Sequence, residues 1–256
     1  MGHGRTGEVH RAWDTRRHRT VALRLLLPEL THDEQFRARL HRDCQAAAEL
    51  DEPHVVAVHD FGEIDGRLYV DTELVDGRDL AAVLAADGPL PADRAVDVVA
   101  QVAAALDAAH AHGLVHGDVR PSHVLLSGHS ARPQCHLTGF GTGGSAGALG
   151  YVAPEHLTGR PADHRVDVHA LACLLHEALT GRPPSRGTDV TEPDAAHLDR
   201  VPPRPSEAVP SVPRALDDVV ARGTAEDPDE RHPSAGALAL AARAALRPVP
   251  PARPTV

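Results

Sequence analysis

The sequence predicts an α+β fold in which strands gather before residue 76 and helices follow. Three observations predict it. Short runs rich in β-branched and apolar residues, Thr20–Leu26, His54–Phe61 and Arg67–Thr72, read as strands, the last two joined by a turn at Gly66. From Arg78 onward the pattern is helical: Val96, Val99, Ala103, Leu106 and His110 recur at three- and four-residue steps, as one face of a long helix does. Between these regimes and the C-terminal helices lies the stretch that organises the chain, Leu114-Val-His-Gly-Asp-Val-Arg-Pro-Ser-His-Val-Leu-Leu126, with Asp118 at its centre and an apolar run on each side. At 256 residues the chain is long enough for one large domain or two lobes.

Composition narrows the function classes. A net charge of -10 and a pI near 6.0 argue against nucleic acid or an anionic membrane as partner. Aromatic residues at 2% leave little for base stacking. No apolar run approaches the roughly 20 residues of a membrane span, and the start lacks the apolar core of a signal peptide. Cys44, Cys135 and Cys173 are widely spaced and read as reduced core residues, which fits a cytoplasmic location. The chain has no lysine and no asparagine, and Ile64 is its single isoleucine. Those residues have AT-rich codons, so a GC-rich bacterial genome and loss of function predict the same absences.

In chain order, Gly2, Gly4, Gly7 and Val9 form G-x-G-x-x-G-x-V, a pattern in which glycines let backbone N–H groups approach a phosphate. A strand usually precedes such a loop. None is expected here: either the start lies upstream of Met1 or, if Met1 is the start, the loop is tethered on one side only and is expected to be mobile. Thr20-Val-Ala-Leu-Arg24 follows as a strand, and a helix is expected over 32–50 with Thr31 as its N-cap. His110, His112 and His116 are rejected as a metal cluster. After Asp118 come Arg120, His123 and Leu125, then Gly139-Phe140-Gly141, Ala153-Pro154-Glu155, a helix over 163–184 that Gly181 and two prolines end, and Asp227-Pro-Asp-Glu-Arg231. Residues 188–213 are Pro-rich and read as mostly loop. The stretch after Arg247 reads as a polyproline tail.

Taken together these motifs resemble the bacterial, eukaryotic-like serine/threonine protein kinases, in the family's order and spacing from Gly2 to about Leu246. The resemblance implies a two-lobed kinase fold: a small lobe over 1–75, a larger helical lobe over 76–246 and a tail over 247–256. It implies Asp118 as catalytic base with Arg120 beside the γ-phosphate. It implies a nucleotide held by Gly2, Gly4, Gly7, Val9, Ala22, Arg24, Asp43, the backbone of Glu73 and Val75, and Leu125, with Thr72 as gatekeeper. Arg24 stands where the family has Lys, and Asp43 where it has Glu; a guanidinium can hold a carboxylate through two parallel bonds, so this pair is expected to persist. Asp167 is expected to hold the catalytic-loop backbone, and Arg231 to pair with Glu155.

The departures from the family fall in one place. His123 replaces the metal-binding Asn and Gly139 the metal-binding Asp of D-F-G, so no metal site is expected at these degenerate positions. Gly117 replaces the Arg that clamps a phosphorylated loop, and Ala148 a Thr that contacts the base. The resemblance therefore implies a pseudokinase that binds a protein partner, with ATP between the lobes and little use of Mg²⁺. The alternative is an active kinase that uses Asp118 on a substrate protein.

Overall fold

The computed structural model describes residues 2–4, 7–128, 133–142, 149–159, 163–183 and 204–247. Ala148, most of the Pro-rich stretch and all but the first residue of the expected tail lie outside them. Five strands form the first sheet: β1 (Gly2–Gly4), β2 (Gly7–Asp14), β3 (Arg19–Leu26), β4 (Val58–Ile64) and β5 (Arg67–Glu73), in the antiparallel order β1-β2-β3-β5-β4. The expectation of no first strand is corrected. Gly2–Gly4 pairs with β2 at the sheet edge, with Gly2 opposite Val9 and Gly4 opposite Gly7. Gly7 has little freedom to be anything else: a Cβ there would lie 2.0 Å from the Leu25 carbonyl oxygen.

Directly opposed residues share a face of a pleated sheet. Val9 lies opposite Arg24, Arg24 opposite Val70, and Ala22 opposite Thr72. One face of the sheet therefore carries Val9, Ala22, Arg24 and Thr72. Asp65 and Gly66, both with positive φ, make the two-residue turn between β4 and β5.

After β3 comes a single turn, α1 (Pro28–Thr31), and then α2 (Glu34–Ala48). Thr31 is not the N-cap of α2. Pro28 starts a separate turn, Thr31 is buried at its end, and its hydroxyl accepts the Leu68 N–H at 3.4 Å. Asp33 caps α2 instead, accepting from the N–H groups of Gln35 and Phe36 at 2.9 and 3.0 Å. Phe36, Leu40, Cys44 and Ala47 form the buried face of α2.

The expected strand over 54–61 is shifted. Residues 54–56 leave the first sheet and pair with a different strand, with Val56 donating to Leu137 and Leu137 to His54 at 2.9 and 2.7 Å. That partner is β8 (Gln134–Leu137), which with β6 (Gly77–Asp79) and β7 (Val124–Ser127) makes a three-stranded sheet in the order β6-β7-β8.

Helices build the rest: α3 (Leu80–Asp87), α4 (Ala92–Ala111), α5 (Pro154–Leu157), α6 (Arg165–Thr180), α7 (Pro205–Ala208), α8 (Ala215–Gly223) and α9 (Ala235–Ala245). Val96, Val99, Ala103 and Leu106 are buried on α4 as the periodicity predicts. In α6 the residues Val168, Leu171, Leu175 and Ala178 are fully buried, and Gly181 ends the helix with φ 68° and a bond from its N–H to the Glu177 carbonyl. The helix packs against α4, α8 and α9, so it is covered on all sides. All three cysteines are free and buried. Among the described residues no helix is long and apolar enough to cross a membrane.

Candidate active site

Asp167 organises the loop that carries Asp118. It sits in the first turn of α6 with no exposed surface, accepting the N–H of His116 at 2.9 Å, the N–H of Gly117 at 2.8 Å and His110 Nε2–H at 2.8 Å. Burial works to raise its carboxyl, but these bonds and the neighbouring imidazoles hold it below the usual carboxylate range. His110 thus has a role that its place on an apolar stripe does not disclose. Gly117 has φ 72°, so any side chain there would be strained.

His116 continues the scaffold. Its Nε2–H donates to the Thr138 carbonyl at 3.1 Å and its Nδ1 accepts the Asp118 N–H at 3.2 Å. This pattern is that of a neutral ring, and burial lowers the pKa of His116 accordingly. Phe140 packs edge-on against it with centroids 4.7 Å apart. Far from the loop, Arg231 meets Glu155 through two bonds of 2.7 Å, as expected.

Around Asp118 the charges are distributed unusually. Arg120 Nε lies 3.4 Å from Asp118 Oδ1, and Arg120 Nη2 donates to His123 Nε2 at 3.3 Å. The other ring nitrogen of His123 donates to the Asp118 carbonyl at 2.8 Å. Burial first, and then the guanidinium groups of Arg120 and Arg24, put the His123 pKa well below its ordinary value, so the ring is neutral. Arg24 is drawn into the same cluster. Burial lowers its pKa and Arg120 lowers it further, while Asp118 opposes them.

The expected ion pair between Arg24 and Asp43 does not form. Arg24 Nη1 donates to the Thr142 hydroxyl at 3.4 Å, and that hydroxyl donates to the Gly139 carbonyl at 2.9 Å. The turn that follows Phe140 lies against α2: a Cβ on Gly141 would stand 2.6 Å from Cys44 Sγ and 3.6 Å from Asp43 Cβ. Thr142 thereby takes the guanidinium, and the carboxyl of Asp43 is raised by burial against the opposing pull of Arg39 and Arg42. Neither Thr142 nor Gly141 carries a signal in a single sequence that would have announced this wedge.

The other expected nucleotide contacts are placed as follows. Val9 and Ala22 are half-buried on the sheet face that carries Arg24, and Leu125 is half-buried in β7. Glu73 is exposed at the end of β5 with its N–H bound to the Ala57 carbonyl at 2.9 Å, and Val75 lies in the three-residue link to β6. Gly2 and Gly4 belong to β1 and Gly7 opens β2. On the other side of Asp118 a cleft is lined by Gly117, Asp118, Tyr151, Val152, Ala153 and His156.

A divalent metal does not fit the residues at the degenerate positions. Gly139 has no side chain to offer and has φ 104°. The Nδ1 of His123 carries a proton and its Nε2 lone pair faces a guanidinium. Among the described residues no group of three His, Cys, Asp or Glu side chains is placed to hold a metal ion. Mg²⁺ in particular prefers oxygen ligands to imidazole.

The protein kinase domain family matches residues 1–240. The chain is 46% identical over 259 residues to the serine/threonine-protein kinase PknD of Mycobacterium tuberculosis, covering 96% of this chain and 39% of that protein. It is 45% identical to PknE of Mycobacterium bovis, covering 96% of this chain and 45% of that one. The chain thus spans less than half the length of these relatives. The crystal structure of the M. tuberculosis PknI kinase domain is similar with a TM-score of 0.84 at 34% identity, over 96% of this chain and 92% of that one.

Proposed function

This chain belongs to the bacterial serine/threonine protein kinase family, and on that premise we propose that it is a pseudokinase: a kinase fold that binds a nucleotide, a protein partner or both, and transfers phosphate weakly or not at all. The reading divides the chain into a small lobe over 1–75, a large lobe over 76–246 and a tail over 247–256. The observation that carries it is the pair His123 and Gly139, where a neutral, hydrogen-bonded imidazole and a glycine at positive φ stand in place of two metal ligands. A metal that clamps transferring phosphates contributes several kcal/mol of transition-state stabilisation, and each ~1.4 kcal/mol lost is about a tenfold loss of rate.

A nucleotide still has a place. Val9 and Ala22 offer apolar surface, and Arg24 with Arg120 sets two cations beside the carboxylate of Asp118, where the phosphates would lie. That local balance favours a polyphosphate over a divalent cation. Titration of ATP into the full chain, once with Mg²⁺ and once with EDTA, should give the same affinity. Tight binding with Mg²⁺ that collapses in EDTA would contradict the reading.

One observation favours the second reading, an active kinase of low rate acting on a protein serine or threonine. Asp118 is retained, paired with Arg120 and open to the cleft that Tyr151 to Ala153 border. On that reading Asp118 takes the proton of the substrate hydroxyl and Arg120 steadies the γ-phosphate.

A further inference from the structure

The ring of His123 is held on three sides. Its Nδ1–H bonds the Asp118 carbonyl at 2.8 Å, its Nε2 accepts from Arg120 at 3.3 Å, and its face stands against Gly139. A Cβ at position 139 would lie 3.2 Å from Nδ1, 3.4 Å from Cε1 and 3.5 Å from Cγ of that ring. His123 is buried, and its backbone is fixed as well, through Thr138 N–H donating to the His123 carbonyl at 2.9 Å. To yield to a side chain at 139 it must therefore stretch one of these bonds.

We propose that His123 and Gly139 act as one coupled unit: the imidazole occupies the space a side chain at 139 would need, and it does positional work that a metal would otherwise do by holding Arg120 beside Asp118. This rests on the pseudokinase reading, since it explains how a site without a metal stays ordered. The two substitutions are then not independent losses. A ring at 123 crowds any side chain at 139, and a glycine at 139 leaves a space that the ring packs against. His123 is a positioning residue here, because it acts through Arg120 and the Asp118 carbonyl.

The chemistry makes the loss hard to reverse in one step. An Asp at 139 would restore an oxygen ligand but would meet the ring and the positive φ. The ring itself offers a metal nothing: one nitrogen is a donor, and the lone pair of the other points at a cation. Clearing the ring with an Asn supplies both a carbonyl oxygen and room for the carboxylate. Metal binding should return only when both positions change.

Two measurements on the full chain test this. Mn²⁺ alone is titrated into the wild type, Gly139→Asp, His123→Asn and the double variant, following free Mn²⁺ by its electron paramagnetic resonance signal. The double variant should bind Mn²⁺ at least about tenfold more tightly than Gly139→Asp, a step of the size seen when groups around a metal are altered. Equal binding by Gly139→Asp and the double variant, or no gain in the double variant, would overturn the proposal. Because Gly139→Asp could fail to fold, the contact is also read by melting. Gly139→Ala should lower the Tm of the wild type more than that of His123→Ala, by about 2–4 °C, since the backbone strain is common to both and only the ring contact differs. Equal drops in the two backgrounds would overturn the coupling. Phosphate transfer by the wild type would sink the pseudokinase reading and leave this cycle standing.

Discussion

Arg231 uses all five of its N–H groups. Two go to Glu155 and the others to the carbonyls of Ala225, Arg165 and Glu226. The guanidinium has no exposed surface, so the pair is held where an unpaired charge is costly. Burial works to raise the Glu155 carboxyl, but Arg231 keeps it below the usual carboxylate range. Replacing Arg231 by Ala would strand that carboxylate, and we predict a loss of about 3–5 kcal/mol, read as a fall in Tm of about 10 °C. Arg231→Lys should recover only part of it, because an ammonium cannot make the two parallel bonds. An unchanged melt in Arg231→Ala would contradict this. Around Arg24 the prediction concerns partner choice. Thr142→Ala removes the hydroxyl that holds the guanidinium, so Arg24 gains freedom to reach Asp43. Nucleotide affinity should then rise, and a fall would show that Thr142 supports binding.

At the scale of elements, α2 depends on its cap. Asp33 accepts two N–H groups at the helix start, and Asp33→Ala should cost about 1 kcal/mol, while Thr31→Ala should act through lost burial and the bond from Leu68. A denaturation midpoint lowered by Thr31→Ala but not by Asp33→Ala would restore the cap that the sequence alone suggests. A Ser, Thr, Asp or Asn is found at both 31 and 33, and only Pro28, which begins its own turn, decides between them. Helix α4 was legible because its apolar residues repeat at helical spacing, and α6, buried almost all round, because a long apolar run ends at Gly181 and two prolines. The strand near residue 54 begins later than its pattern suggests because His54 to Val56 are as strand-like as Val58 to Phe61, and the split between two sheets depends on β8, distant in sequence. The same applies in the site. Asp118, Asp167 and Arg231 could be found from motif spacing, but the Thr142 contact with Arg24 arises from packing of Gly141 on Cys44, which one sequence does not encode in any local pattern.

For the whole molecule the buried histidines and carboxyls set the response to acid. His116 and His123 have lowered pKa values, and His169 is brought down by burial and Arg231 to about 4. Each stays neutral in the fold while its unfolded counterpart takes a proton below about pH 6.5, so the unfolded state binds more protons and stability falls as pH drops through that range. Asp167 and Glu155 act lower down. Their folded pKa values lie below the unfolded ones, so their contribution is present above about pH 4 and is lost as pH falls through the folded values. We predict a Tm that declines from about pH 6.5 downward and more steeply below about pH 4.5. A Tm constant between pH 7 and 5 would contradict the neutral, buried state of the three histidines.

The proposed weakness or loss of phosphate transfer follows from His123 and Gly139 standing at two metal-ligand positions. It is tested most directly by incorporation of labelled phosphate from ATP into a basic protein acceptor, with Mg²⁺ and separately with Mn²⁺, for the wild type and Asp118→Asn. The pseudokinase reading predicts no incorporation above the Asp118→Asn control with either metal. Incorporation by the wild type that disappears in Asp118→Asn would contradict it and make Asp118 a working base beside Gly139.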